Sequence, residues 1–269
     1  DNLVEKQKRQ ARIMKDSLAH VLKKSVRNSF PNSKMDMDFQ TMQRLKSLGY
    51  VGGLVSEDFS FDQTKDDPKD LLAYHVLSIQ IYSYFEAKEY DQVEKLAEQM
   101  IRERPDCSFA YETLGMMARE QKEYSKAIVC FQNAIDRGAA NTDRATNFHN
   151  LGVVYQAKGD YDRAIWNFDQ AIELNPRDAK SHSSRGVVYM TKGVYELAIR
   201  DFRKAIDFKP NPEMLNNLAW PLATANDPKL RDGAEALRLA EKACKLTNYK
   251  DPSILDTLAA AYSETGQFA

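Results

Sequence analysis

Apolar and small residues recur along most of this chain at helical spacing, in paired segments that share one register. Laying Leu151-Gly152-Val153-Val154-Tyr155 on Arg185-Gly186-Val187-Val188-Tyr189 gives an offset of 34 residues. The same offset carries Ala164 to Ala198, Phe168 to Phe202, Ala171 to Ala205 and Pro176 to Pro210. In the other direction, Gly152, Ala164, Phe168 and Ala171 map onto Gly115, Ala127, Phe131 and Ala134 at an offset of 37. A 34-residue unit with a three-residue insertion near Asn141 to Arg144 accounts for both numbers. One step earlier, Tyr84, Tyr90 and Pro105 fill the slots of Tyr155, Tyr161 and Pro176. The pattern predicts helix–turn–helix units over 74–107, 108–141, 145–178 and 179–212, and a fifth over 212–249 stretched around Asn226 to Gly233. A sixth begins at Pro252 with Leu258-Ala259-Ala260-Ala261-Tyr262 and reaches Ala269 before a second helix.

Ahead of the repeats the pattern changes. Val4, Ala11, Met14, Leu18, Leu22 and Val26 recur at spacings of three, four and seven, which predicts an amphipathic helix. Its stripe suits docking on a neighbouring surface, with membrane-surface binding or a coiled-coil dimer as alternatives. After a break at Phe30-Pro31-Asn32-Ser33, Asp38 is placed to cap a short helix holding Phe39, Met42 and Leu45, closed by Gly49 with Tyr50 folding back. Residues 1–50 are therefore a helical segment, residues 51–70 an acidic linker and residues 71–269 the repeat array. Asp67-Pro68 suits the cap and first turn of the next helix.

The repeated residues resemble the tetratricopeptide family. The resemblance implies an all-α fold, a right-handed superhelix of helix–turn–helix repeats, here behind an N-terminal helical segment. It places Gly152 against Ala164 within one hairpin and Tyr155 and Phe168 between hairpins, with Pro176 and Pro210 ending second helices. Pro221, inside the first helix of the fifth repeat, is expected as a tolerated bend. The incomplete sixth repeat leaves an apolar face, as expected of a chain cut here or of an end that another molecule covers.

Composition narrows the functional classes. Lys plus Arg is 38 and Asp plus Glu is 39, a balance that argues against nucleic-acid binding. It conceals eight basic and three acidic residues in 1–30, against six acidic and two basic in 51–70. No apolar run reaches the roughly 18 residues of a membrane span, so no membrane insertion is expected, and no signal peptide is read. Cys107, Cys130 and Cys244 suit neither a disulfide framework nor a metal site, and read as small core residues. Among His20, His75, His149 and His182 no pair sits three or four residues apart, so no zinc site is expected. His182 stands where a large apolar residue is expected and reads as a partly buried structural histidine. Gly52-Gly53 opens no phosphate loop. No catalytic residue, metal or cofactor is expected, and the chain by itself is not read as an enzyme.

On the tetratricopeptide pattern, the second, fifth, ninth and twelfth positions of each repeat line the inner face of the superhelix. They read His75, Ser78, Tyr82 and Phe85, then Phe109, Glu112, Met116 and Arg119. Thr146, His149, Val153 and Gln156 follow, then Lys180, Ser183, Val187 and Met190, then Glu213, Asn216, Trp220 and Ala223. The ninth positions alone give an apolar strip: Tyr82, Met116, Val153, Val187, Trp220 and Ala260. Such a strip suits an extended segment or a helix of a protein partner, oriented by Glu112, Arg119, His149 and Lys180. For Val153 and Val187 packing between neighbouring helices is the competing reading. The carboxylate-clamp variant of the family is matched only by Asn150 and Lys180, while Glu112 and Met116 depart from it.

A second resemblance lies in the first seventy residues. Arg44-Leu45-Lys46-Ser47-Leu48-Gly49-Tyr50-Val51-Gly52-Gly53, the acidic linker and Asp67-Pro68-Lys69-Asp70 are similar to the tail of bacterial arylsulfatase-like proteins that carry tetratricopeptide arrays. Asp1-Asn2-Leu3-Val4 and the helix after it look like the end of such a catalytic domain. The resemblance implies an exported hydrolase of sulfate or related esters with a calcium-dependent site, whose Cys-x-Pro-x-Arg motif none of the three cysteines fits. The expected function is a protein-interaction or assembly scaffold. Its alternatives are the non-catalytic regulatory or substrate-presenting tail of a sulfatase-like hydrolase, and a self-association module acting through the N-terminal helix or the open sixth repeat. A periplasmic or exported location follows from the sulfatase-like reading, a cytoplasmic one otherwise.

Overall fold

The computed structural model describes residues 68–137 and 141–266. The Val4–Val26 stripe, the Asp38 helix, His20 and the linker up to Asp67 lie outside the described residues. The chain divides into two compact units, 1–73 and 74–269, and the repeats lie in the second. Among the described residues there are α-helices, one 3₁₀ turn and no strand.

The helices come in pairs: α1 (Pro68–Glu86) with α2 (Tyr90–Glu103), α3 (Ser108–Glu120) with α4 (Tyr124–Arg137), and α5 (Asn141–Ala157) with α6 (Tyr161–Leu174). Then follow α7 (Ala179–Thr191) with α8 (Tyr195–Phe208), α9 (Pro212–Thr224) with α10 (Gly233–Leu246), and α11 (Pro252–Glu264). Helix α1 already begins at Pro68, ahead of the boundary expected at residue 71. The insertion near Asn141 lengthens a helix: α5 has 17 residues, whereas α3, α7, α9 and α11 have 13. The stretch after α9 is a loop with a 3₁₀ turn at Pro228–Leu230.

Local signals fix where these helices start and turn. Asp160, Asp178, Asn211, Asp232 and Asp251 each accept a backbone N–H of the helix that follows. Within each of the first four hairpins one equivalent turn residue is left-handed: Lys88, Lys122, Gly159 and Gly193, with φ of 59°, 61°, 77° and 76°. Helix α9 continues through the buried Pro221, and the Pro221 carbonyl accepts the Ala225 N–H at 3.0 Å.

Packing is local, as in a solenoid. Each helix from α2 onward packs on the next in sequence, and α3 with α5, α5 with α7, α7 with α9 and α9 with α11 also touch, so first helices form a continuous layer. Inside each of the three central hairpins a phenylalanine ring occupies the space that a glycine leaves free. Phe131, Phe168 and Phe202 are fully buried. A Cβ on Gly115, Gly152 or Gly186 would come within 2.8, 2.5 or 2.7 Å of the respective ring. A Cβ at Gly152 would meet Phe168 of its own hairpin first, so this ring fills space within the hairpin, where the sequence had placed it between hairpins. The ring is large enough to reach across to the partner helix wherever that helix carries no Cβ.

The fourth repeat differs in chemistry. Leu114 with Cys130, Leu151 with Asn167, and Leu218 with Leu239 occupy equivalent slots in neighbouring repeats, but here the slots hold Arg185 and Asp201. Arg185 donates to both Asp201 oxygens at 2.7 Å and to Asp169 of the preceding repeat at 2.5 Å. Burial is the largest influence on Asp201 and opposes its charge, but the hydrogen bonds from Arg185, together with His182 and the Arg185 charge, hold the carboxyl below the usual carboxylate range. His182, expected to be partly buried, is fully buried. Its Nε2 lies 3.1 Å from the Pro176 carbonyl, its Nδ1 lies 3.6 Å from Asp201, and its ring packs on Phe208.

Gly152→Ala should destabilise the chain by about 1–3 kcal/mol through the clash with Phe168, measurable by urea unfolding; an unchanged midpoint would refute the close-contact account. Arg185→Leu should cost about 3–5 kcal/mol because it strands a buried carboxylate, while the double change Arg185→Leu with Asp201→Leu, which copies the fifth repeat, should restore stability to near the native value. Equal losses in the single and double variants would show that the pair does not act as a unit.

Candidate protein-binding face

The inner-face positions lie on the layer of first helices, but they are not equally free. Tyr82, Met116, Val153, Val187 and Ala260 are half-buried; Met116 and Val153 pack against the central core cluster, and Val187 and Ala260 against the C-terminal one. Trp220 stands out at 39% exposed, the large apolar residue of the strip most open to solvent. Asn150 and Ser183 are each only 8% exposed, so they form wall and offer little surface, contrary to the expectation for them as contacts. Phe109 is half-buried against the N-terminal core cluster, and Met190 against the C-terminal one. Val153 and Gln156, with Ala157, Tyr161 and Thr191, line a shallow open depression.

At the N-terminal end, the Ser78 hydroxyl donates to the His75 carbonyl within α1. Burial lowers the His75 pKa, and burial together with a hydrogen bond to Glu86 raises that of Tyr82. Near the other end, the half-buried Asn216 keeps its side-chain oxygen buried without a hydrogen-bond partner.

The charged residues gather where α3, α5 and α7 adjoin. Arg119 donates to the Asn150 side-chain oxygen at 3.3 Å. His149 Nδ1 lies 3.0 Å from the Ser181 hydroxyl, and that hydroxyl donates to Asp178. Because the Ser181 proton is already committed, the histidine must be the donor, which places its neutral-form proton on Nδ1. Its ring is tilted on Phe168 with centroids 5.5 Å apart. Burial is the largest influence on His149; Asp178 partly offsets it, Lys180 and Arg119 reinforce it, and the pKa falls to about 4. Glu112 moves the other way, raised to about 7 by burial and then by Asp143. The sequence reading missed Asp143, Asp178 and Ser181. Asp178 could have been found as the cap ahead of Ala179, whereas Asp143 reaches Glu112 only because α5 starts a turn early. Among the described residues no group of three His, Cys, Asp or Glu is placed to hold a metal ion, and no helix is long and apolar enough to cross a membrane.

Glu112 and His149 should give opposite pH dependences of stability. The raised Glu112 value stabilises the fold below pH 4.5, and this is lost as pH rises to about 7. The depressed His149 value stabilises the fold above pH 6.5, and this is lost as pH falls towards about 4. Between these limits Glu112→Gln should make stability climb with pH more steeply than in the native chain, and His149→Gln less steeply, each by on the order of 2 kcal/mol. Parallel stability profiles from urea unfolding across that range would contradict the assignment.

Comparison with known proteins agrees with this architecture. A family model described as TPR repeat matches residues 152–193, and one described as tetratricopeptide repeat matches 179–212. Photosystem I assembly protein Ycf3 of Rippkaea orientalis is 30% identical over 70 residues, 26% of this chain and 40% of that protein. Anaphase-promoting complex subunit 3 of Schizosaccharomyces pombe is 27% identical over 153 residues, 52% of this chain and 23% of that protein. The chain thus spans less than half the length of either relative. Among solved structures, YrrB, described as a TPR protein with an unusual peptide-binding site, superimposes with a TM-score of 0.51 at 18% identity, over 67% of this chain and 89% of its own. MamA gives 0.52 at 20% identity, over 65% of this chain and 92% of its own. Helix pairing, the glycine–phenylalanine contacts and these matches together lead to one conclusion: residues 152–212 match tetratricopeptide repeats, and the described helices stack in the all-α fold of a tetratricopeptide solenoid.

Proposed function

We propose that the array is a protein-interaction or assembly scaffold that receives an extended or helical segment of its partner along the layer of first helices. The observation that carries this reading is Trp220. A large aromatic side chain, 39% exposed on the same layer as the half-buried Tyr82, Met116, Val153 and Val187, is the usual chemistry of an anchor point at a protein interface. Helices held by buried rings and side-chain caps present that surface already ordered, so binding costs little conformational entropy. Two relatives, an assembly protein and a subunit of a multiprotein complex, support the same class of role.

The test uses a random library of 12-residue peptides, amidated at the C-terminus, selected on the full chain. Peptides recovered on the native chain should bind Trp220→Ala about tenfold or more weakly, and Tyr82→Ala should weaken them too, with helical circular dichroism unchanged in both variants. Equal affinity for native chain and variants would remove the groove from consideration.

A further inference from the structure

We infer that the turn between α10 and α11 is a second contact surface, independent of the groove, which rests on the headgroup layer of an anionic membrane. Leu246, the last residue of α10, is 56% exposed and Tyr249 is 50% exposed, whereas Ala240, Ala243 and Cys244 of the same helix end are buried. Lys242, Lys245 and Lys250 are exposed around them, with Lys242 one turn before Leu246 on the same helix face. Residues 242–250 hold these three lysines and no acidic residue. The carboxylates that flank the stretch are already engaged. Glu241 lies 3.9 Å from Lys245 and accepts the Tyr262 hydroxyl at 3.4 Å, and Asp251 caps α11 by accepting the Ser253 and Ile254 N–H groups.

The backbone holds this arrangement at a cost. Asn248 and Tyr249 are consecutive left-handed residues, with φ of 52° and 56°. Asparagine tolerates that region, but a bulky aromatic residue is strained in it. The first, third and fourth repeats close the equivalent stretch with Pro105, Pro176 and Pro210 instead. Here the Tyr249 N–H donates to the Cys244 carbonyl at 2.8 Å and the Asn248 N–H to the Lys245 carbonyl at 3.2 Å. Tyr249 is thereby tied to the last turn of α10, three residues from Leu246, yet half of it stays in solvent, so burial within the chain recovers little of the strain.

The chemistry favours lipid over a protein partner. Lysine is depleted at protein interfaces, where arginine is the preferred cation, and all three cations in this stretch are lysines. At an anionic bilayer their long stems lie along apolar surface while the ammonium groups reach the negative headgroups. Tyrosine suits the same boundary, with an apolar body and a polar tip, and leucine adds apolar area to bury just below it.

Sedimentation of the full chain with phosphatidylcholine vesicles, with and without phosphatidylserine, tests this. The native chain should partition about tenfold or more strongly onto the anionic vesicles, and added salt should weaken the partition. Lys242→Gln combined with Lys250→Gln, and separately Leu246→Ser, should each lower it about tenfold. Tyr249→Gly separates binding from folding. Glycine takes a φ of 56° without strain, so the urea midpoint should hold or rise while partition falls. A lower midpoint would show that Tyr249 serves the fold and would overturn the assignment. Equal partition on neutral and anionic vesicles would also overturn it, and so would anionic partition unchanged in all three variants, which places the lipid contact elsewhere on the chain. If the native chain ignores anionic vesicles but binds soluble polyglutamate through the lysines, the partner is an acidic protein segment and the lipid surface is overturned.

Discussion

Every hairpin in the centre of this molecule is set by one steric fact: a phenylalanine ring lies where a glycine leaves room. The rings of Phe131, Phe168 and Phe202 are fully buried, and each would stand closer than 3 Å to a Cβ on its glycine. The contact brings the two helices of a repeat together and thereby fixes which faces remain for the neighbouring repeats. Since the same pair, 16 residues apart each time, recurs in three successive repeats, successive hairpins meet with similar geometry, and their first helices merge into one layer. The candidate binding surface follows from that layer.

Polar groups adjust this stack at particular places. The fourth repeat holds Arg185 and Asp201 where the fifth holds Leu218 and Leu239, and Arg185 reaches across to Asp169 of the third. A buried ion pair of this kind adds little net stability compared with apolar residues of similar size, but it penalises any packing that separates the charges. It therefore ties the third and fourth repeats in one register beside the Arg119, His149 and Lys180 cluster. On the same layer, burial moves the pKa values of Glu112 and His149 in opposite directions but favours the uncharged form of both.

The helix–turn–helix periodicity was legible in the linear pattern, because it depends on residues a few positions apart, whereas the caps Asp160, Asp178, Asn211, Asp232 and Asp251 were not read from it. Gly152 and Phe168 were both recognised as repeated, yet their contact with each other was not, since spacing alone does not say whether a ring points within a hairpin or between two. The insertion near Asn141 illustrates a similar limit. Three extra residues in an offset can form a loop or another helical turn, and here they lengthen α5 and bring Asp143 near Glu112.

By itself, the sequence determined the all-α repeat architecture, the length of the unit and the absence of a recognisable nucleophile or metal motif, because these are properties of periodicity and residue type. Tertiary structure decided which inner-face residues are accessible: Trp220 is open, Val153 and Val187 are shared with the core, and Asn150 and Ser183 are almost wholly enclosed. It also decided that Asp178 and Ser181 stand beside His149, which lies 29 and 32 residues earlier in the chain. The physical reason is the same in each case. Periodicity assigns a side chain to a face of its own helix, whereas burial and charge depend on how far the next helix reaches over that face.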